Sequence, residues 1–88
     1  MEFEWDVAKC ALNIEKHGID FDDAKSVFEG PLLEVSSPRG DENRWIALGQ
    51  MEGRVIALIF TRREGVVRII SARAARKHER EQYHSRFP

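Results

Sequence analysis

The chain has 88 residues, of which 42% are hydrophobic and 33% charged, and its formal net charge is −1. This composition is typical of one folded domain, residues 1–88, and excludes an intrinsically disordered chain. No apolar run reaches the ~18 residues of a membrane-spanning helix, and the acidic start MEFEWD lacks the positive segment of a secretion signal. Cys10 is the single cysteine, so an internal disulfide cannot form, and we expect a cytoplasmic protein.

The charges are distributed unevenly along the chain. Residues 1–44 carry 11 acidic and 5 basic side chains, whereas residues 45–88 carry 4 acidic and 9 basic ones. A basic surface suits phosphate groups, and an acidic surface suits a basic protein partner. Mutual neutralisation of the two halves within the fold explains the same counts, so both interpretations stay open.

The first predicted helix covers about residues 7–16 and follows a short extended piece. Asp6 is placed to cap its start, and Gly18 to end it, because glycine adopts the positive φ that this position needs. Asparagine is mildly unfavourable inside a helix, so Asn13 indicates a specific hydrogen bond. One side of this helix is apolar: Val7, Ala8, Ala11, Leu12 and Ile14. A polar stripe occupies the other: Asp6, Lys9, Asn13 and Lys16.

A second short helix is predicted in FDDAKSVFEGP, and strands follow it. The segment LLEVSS is expected at a sheet edge, before the polar loop PRGDEN. The segments RWIALGQ, RVIALIFTR and VVRIISA have short connections that contain glycine, which predicts antiparallel hairpins. Val55–Phe60 is apolar without alternation, which is typical of a central strand covered on both faces.

A last helix, from Ala72 to about Ser85, completes the prediction of an α+β domain with an antiparallel sheet, in the order β-α-α-β-β-β-β-α. Four basic residues are expected on one side of it, with Glu79 and Tyr83 beside them: Arg73, Arg76, Lys77 and Arg80. Because the arginine fork matches phosphate oxygens, this pattern favours binding of an RNA backbone. A solvated helix with Arg–Glu pairs gives the same pattern, and that alternative stays open.

No metal site or cofactor is expected. The histidines His17, His78 and His84 have no cysteine pair or His-x-x-His spacing beside them. Glycine-rich phosphate loops and Gly-x-Ser-x-Gly elbows are also lacking in the sequence. His17 suits either a helix C-terminus, where a positive charge is favourable, or an acid/base role.

These residues, in this order, resemble the BrnT toxins of bacterial type II toxin–antitoxin systems. The resemblance covers about residues 3–83. Its motifs are F-x-W-D-x-x-K at Phe3–Lys9, N-x-x-K-H-G-I-x-F at Asn13–Phe21, A-x-x-V-F at Ala24–Phe28, E-x-R at Glu42–Arg44, Gly49, R-I-I-S-A-R-x-A at Arg68–Ala75 and E-R-x-x-Y at Glu79–Tyr83.

The resemblance implies a RelE-like fold and an endoribonuclease that cleaves RNA without a metal and arrests translation. The reaction would be attack of a 2′-hydroxyl on the adjacent phosphate, on free RNA or on the ribosome. A BrnA-type antitoxin would neutralise the toxin, and the complex would repress its own promoter, with DNA contacted only through the antitoxin. A homodimer or a heterotetramer is the implied assembly, and no membrane is involved.

The resemblance also implies site residues. Arg68 and Arg73 would contact the phosphate and stabilise the transition state. The residues Arg76 and Arg80 would extend this contact along the RNA backbone, with Lys9 and Lys16 as further candidates in the same groove. The acid/base group would be one of Glu79, His17 and Tyr83.

Two other functions fit the same residues. A non-catalytic module that binds RNA or the ribosome would inhibit translation by occupancy, and its acid/base candidates would tolerate substitution. A purely structural partner of a DNA-binding antitoxin would inhibit nothing, so Arg73→Ala would leave growth unchanged. The chain itself has no helix-turn-helix or basic tail for binding DNA alone.

Overall fold

A computed structural model describes residues 1–36 and 43–88, and these form a five-stranded sheet with helices on both faces. The mixed α+β class is confirmed. Within the described ranges, no helix has the length and hydropathy that a bilayer-spanning segment needs. The elements in chain order are β1 (Glu2–Glu4), α1 (Val7–His17), α2 (Phe21–Ala24), a 3₁₀ helix (Lys25–Glu29), β2 (Leu32–Ser36), β3 (Arg44–Met51), β4 (Arg54–Arg63), β5 (Val66–Ala74) and α3 (Lys77–Arg86).

The sheet has the strand order β1-β5-β4-β3-β2, with antiparallel pairs from β2 to β5. β2 lies at one edge, as predicted. At the other edge β1 runs parallel to β5, through the three pairs that join Glu2–Glu4 to Val66–Arg68. The expectation of a wholly antiparallel sheet is therefore wrong, because a three-residue strand has too few side chains for its sequence to indicate a pairing direction.

Both predicted hairpins are confirmed. Glu52 and Gly53 have φ values of 52° and 80°, and Glu64 and Gly65 have values of 50° and 81°. Two successive residues with positive φ form the two-residue turn whose twist matches that of the flanking strands. The polar loop predicted between β2 and β3 lies, apart from Asn43, outside the described residues, as does Glu42 of the E-x-R motif.

β4 is the central strand, and its side chains alternate between two cores. Ile56, Leu58 and Phe60 pack with α1, α2 and the 3₁₀ helix on one face. On the other face Val55 and Ala57 pack with residues of α3. The prediction of a strand covered on both faces is confirmed, and it explains why this segment shows no apolar–polar alternation.

Helix α1 has the predicted caps but an unexpected orientation. Asp6 accepts a hydrogen bond from the backbone of Lys9 at 3.1 Å, and Gly18 ends the helix with φ 71°. The side against the sheet includes Cys10 and Asn13, which are 8% and 7% exposed. The polar stripe is thus partly buried, and the apolar side of α1 faces solvent.

The last helix begins at Lys77 and not at Ala72. β5 continues through Ala74, which pairs with Ile56, and the backbone N–H of Ala75 donates to Val55 at 3.1 Å. Alanine favours helices, but pairing with a neighbouring strand overrides that preference. The prediction that Arg73 shares a helix side with the later basic residues is therefore wrong.

Gly49 provides a test of packing between β3 and the 3₁₀ helix. A Cβ atom at this position would lie 2.8 Å from the Cβ of Val27, a buried residue. We expect Gly49→Ala to lower the free energy of unfolding by about 1–3 kcal/mol, since the core has no room for the methyl group. Gly30→Ala is the control, because nothing lies within 4 Å of its added Cβ. Equal urea midpoints for the two variants would contradict this packing.

Candidate functional site

A cleft of about 640 Å³ lies between α1 and β5. It contains Lys9 and Lys16, the two lysines expected in the RNA groove, and the acid/base candidate His17. The other lining residues are Leu12, Asn13, Glu15, Ile70 and Ser71. Because two ammonium groups and an imidazole share this cleft with a single carboxylate, it suits a negatively charged ligand.

Asn13 joins the two walls of the cleft. Its Nδ2 donates to the carbonyl oxygens of Ile19 and Ala72, both at 2.9 Å, and its Oδ1 accepts from the N–H of Ala72 at 3.1 Å. The pairing of β1 with β5 ends at Arg68, so β1 provides no hydrogen bonds to the edge of β5 beyond that residue. There the side-chain amide of Asn13 pairs with the N–H and C=O of Ala72. The specific hydrogen bond expected for this helical asparagine is confirmed, and it fixes the position of α1 on the sheet.

A β-bulge in β5 shapes the opposite wall. Phe60 pairs with Ile69 and Ile59 pairs with Ser71, which leaves Ile70 without a partner on β4. Bulges of this kind re-aim side chains and often lie beside active sites. Here the bulge brings Ser71 to the cleft, where its Oγ lies 3.5 Å from Oδ1 of Asn13. Sequence reasoning missed Ser71, since no local pattern indicates an extra residue in a strand.

His17 is the last residue of α1 and is half-buried in the cleft wall. The helix ends directly after it, because Gly18 turns into the left-handed region and donates its N–H to Ile14 at 2.8 Å. Imidazole both accepts and donates protons near neutral pH, and Lys16 next to it supplies positive charge. Of the three acid/base candidates, His17 is the one that lines this cleft.

Arg73 and Glu79 form a partly buried ion pair between β5 and α3. Two parallel hydrogen bonds of 2.7 and 3.0 Å join the guanidinium to the carboxylate, and the N–H of Arg76 donates to the same carboxylate at 2.7 Å. The side chains of Glu79 and Arg73 are 6% and 18% exposed. Burial by itself raises the pKa of Glu79, but the hydrogen bonds from Arg73 and Arg76 outweigh it and hold that pKa below its ordinary value.

This shift predicts how stability depends on pH. The pKa of Glu79 in the folded chain lies below the ordinary 4.5. The stability that the ionised Glu79 contributes is therefore fully present above pH 4.5 and is lost as the pH falls through the folded pKa. We expect Glu79→Gln to melt at a lower temperature than the wild type at pH 7, by a margin that shrinks towards about pH 3. The exposed Glu81→Gln is the control. A margin that stays constant over this range would contradict the ion pair.

Tyr83 is a core residue. It is 2% exposed, and its hydroxyl donates to the carbonyl oxygen of Pro31 at 3.0 Å. Its ring also contacts that of Phe87, with 5.1 Å between centroids. Contrary to expectation, neither the ring nor the hydroxyl is open to a nucleic acid in this arrangement.

Arg68 lines a second cleft, of about 450 Å³, at the β4–β5 hairpin. Its Nη1 lies 2.7 Å from Oε2 of Glu4, and both side chains are about half exposed. Arg62 and Arg63 line the same cleft, and sequence reasoning did not select them. The fold thus separates Arg68 from the cleft that contains His17.

Arg80 lines a third cleft, of about 340 Å³, beside α3. Its Nη1 donates to the carbonyl oxygen of Ala75 at 2.7 Å, and Arg54 and His84 contribute to the same cleft. Arg76 is exposed at the start of α3. The residues selected from the sequence therefore occupy three clefts, the Arg73–Glu79 ion pair, the core position of Tyr83 and the exposed position of Arg76, instead of one surface.

The polar side chains that line these three clefts are mainly cationic or neutral. Over residues 1–36 and 43–88, no group of three or more histidine, cysteine, aspartate or glutamate side chains is arranged to hold a metal ion. Arginine and lysine are suited to phosphate oxygens.

Comparisons with known proteins identify the family of the chain. Residues 5–79 match the family described as the ribonuclease toxin BrnT of type II toxin–antitoxin systems. The fold is similar to the crystal structure of the ribonuclease toxin BrnT from Brucella abortus, with a TM-score of 0.73, 30% sequence identity, and coverage of 88% of this chain and 99% of that one. No curated protein matches the chain. The chain belongs to the BrnT family of ribonuclease toxins of type II toxin–antitoxin systems.

Proposed function

We propose that the chain is an endoribonuclease toxin that cleaves RNA without a metal ion, in the cleft between α1 and β5, and thereby arrests translation. The observation that supports this most is the convergence of Lys9, Lys16 and His17 in one cleft beside the bulge of β5. It combines positive charge for a phosphodiester with a side chain that transfers protons near neutral pH.

The proposed reaction is attack of a ribose 2′-hydroxyl on the adjacent phosphate. His17 removes the proton from the 2′-oxygen as the new phosphorus–oxygen bond forms. The bond from phosphorus to the 5′-oxygen breaks, and that oxygen takes up a proton from the protonated imidazole or from water. Lys9 and Lys16 stabilise the negative charge that develops on the phosphoryl oxygens. The products are a 2′,3′-cyclic phosphate and a 5′-hydroxyl.

The arginines have supporting roles in this proposal. Arg68 and Arg80, each in a cleft separate from that of His17, contact the RNA backbone away from the scissile bond, and the exposed Arg76 extends that contact. Arg73 acts through Glu79: the pair anchors the end of β5 to the start of α3. This assignment keeps the basic residues as RNA contacts, although they line separate clefts, and selects His17 from the three acid/base candidates.

The wider context is also part of the proposal. A RelE-like fold is compatible with an α+β sheet that has α1 on one face and α3 on the other. A BrnA-type antitoxin neutralises the toxin in the cytoplasm, and the complex represses its own promoter through the antitoxin's DNA contacts. Membership of a toxin–antitoxin family supports the existence of such a protein partner.

Purified chain, freed of antitoxin and incubated with a long RNA in EDTA, tests this function. We expect discrete fragments with cyclic phosphate ends. Fragments that require added divalent cations would contradict the metal-independent reaction. If RNA stays intact alone but is cut on translating ribosomes, the substrate is ribosome-bound RNA. If translation stops while the RNA on ribosomes stays intact, inhibition by occupancy replaces the nuclease.

A further inference from the structure

The outward side of α1 is an unusual apolar surface. Val7, Leu12 and Ile14 are 79%, 64% and 44% exposed, and they are three of the four exposed large hydrophobic side chains in the described residues. With the exposed Ala8 and Ala11 they form what we call the apolar arc of α1. At 3.6 residues per turn this arc spans about 160° of the helix circumference. An exposed group of apolar side chains such as this one is suited to contact with another protein.

The orientation of α1 explains why the arc is exposed. A surface helix normally turns its apolar side to the core. In α1 the inward side is instead occupied by Cys10 and by Asn13, whose amide bonds to Ala72 and Ile19 fix the rotation of the helix. The arc cannot turn inward without breaking those bonds, so it stays on the surface, where another chain can contact it.

Charges around the arc indicate the chemistry of that chain. Glu15 is exposed within the arc, between Ala11 and Ala8 on the helix circumference. Beyond one edge, Cys10 donates from Sγ to Oδ1 of Asp20 at 3.4 Å, which places the start of α2 beside the helix. Two further aspartates there are exposed, one of them paired with Lys25: Asp22 and Asp23. The acidic residues thus lie within the arc and beyond its Ile14 edge, whereas Lys9 and Lys16 lie beyond its Leu12 edge. This distribution fits an amphipathic helix that has Lys or Arg on the side of its apolar residues that faces α2.

We propose that the apolar arc of α1 is the docking surface for a basic amphipathic helix of the antitoxin. Leu12 belongs both to the arc and to the wall of the candidate active cleft, so a helix on the arc obstructs access to Lys9 and Lys16. Docking therefore couples antitoxin binding to inhibition of the nuclease. This inference rests on the proposed function only in taking the antitoxin as the partner and the cleft as the site.

Single lysine substitutions on the arc test the docking surface. Ala11→Lys and Ile14→Lys place a charge in the arc, and Gln82→Lys places the same charge on exposed α3, across the sheet. The probe is the purified BrnA-type antitoxin produced together with the chain. We expect both arc variants to bind it at least tenfold more weakly than Gln82→Lys does. Melting temperature and RNA cleavage without antitoxin should match those of the control.

The outcomes separate this inference from the proposed nuclease. Antitoxin affinity equal to that of Gln82→Lys would overturn the docking surface. The docking surface would also be overturned if the wild type self-associates and an arc variant is monomeric but binds the antitoxin normally. The arc would then be covered by a second copy of the chain. If the wild type cuts no RNA but Ala11→Lys still weakens antitoxin binding, the nuclease proposal fails and the docking surface stands.

Discussion

His17→Gln is expected to lower the rate of RNA cleavage by about 10²–10⁴-fold, the usual contribution of a positioned acid/base group. Glutamine keeps a polar side chain in the cleft wall but cannot transfer a proton in this way. The reduction should appear in kcat, because the ammonium groups that bind the phosphate remain. Lys16→Ala should instead raise KM as well as lower kcat, since it removes charge that contacts the substrate before and during the reaction.

His78→Gln is the matched control for this prediction. His78 is exposed on α3 and does not line the cleft between α1 and β5. Its variant should cleave RNA at the wild-type rate. Melting curves of both variants establish that they are folded. Full activity of His17→Gln, with a folded chain, would remove His17 from the reaction and return the acid/base role to another residue.

Asn13→Leu is expected to lower the free energy of unfolding by about 3–5 kcal/mol, since each buried polar group that loses its partner costs roughly 1–3 kcal/mol. Three such groups lose their bonds: the N–H and C=O of Ala72 and the C=O of Ile19. Asn13→Asp should also destabilise, because a carboxylate accepts from the N–H of Ala72 but repels both carbonyl oxygens. Urea denaturation measures the change, with unchanged m-values expected.

The exposed Gln82→Leu is the control for the loss of an amide in a helix, with an expected change within about 0.5 kcal/mol. A similarly small effect for Asn13→Leu would show that α1 does not depend on this side chain for its position. Such a result would also weaken the explanation of the exposed apolar arc, which relies on Asn13 to fix the rotation of the helix.

Features controlled by neighbouring residues could be predicted from the sequence. Asp6 and Gly18 define α1 through local capping, and the two Glu-Gly turns define hairpins through their backbone conformations. The unbroken apolar run in β4 identified the central strand because both of its faces are buried. Helical spacing placed Lys9, Asn13 and Lys16 on one side of α1, and the family resemblance gave the two lysines and His17 as candidates for the site.

Features that depend on long-range pairing could not be predicted. The start of α3 was misplaced because Ala72 and Ala74 favour a helix locally but pair with β4 in the fold. The bulge at Ile70 and the burial of Glu79 and Tyr83 arise from the same pairing and from packing of α3 on the sheet. Helical spacing therefore predicted one shared side for residues that the fold distributes over several clefts.

The position of the RNA-binding site can be measured directly by NMR. The ¹⁵N-labelled chain, without antitoxin, is titrated with a short RNA in which 2′-deoxy nucleotides prevent cleavage. We expect the largest amide shifts at the cleft between α1 and β5, at Lys9, Asn13, Lys16, His17 and Ser71. Largest shifts at Arg54, Arg80 and His84, or at Arg62, Arg63 and Arg68, would contradict a catalytic site between α1 and β5.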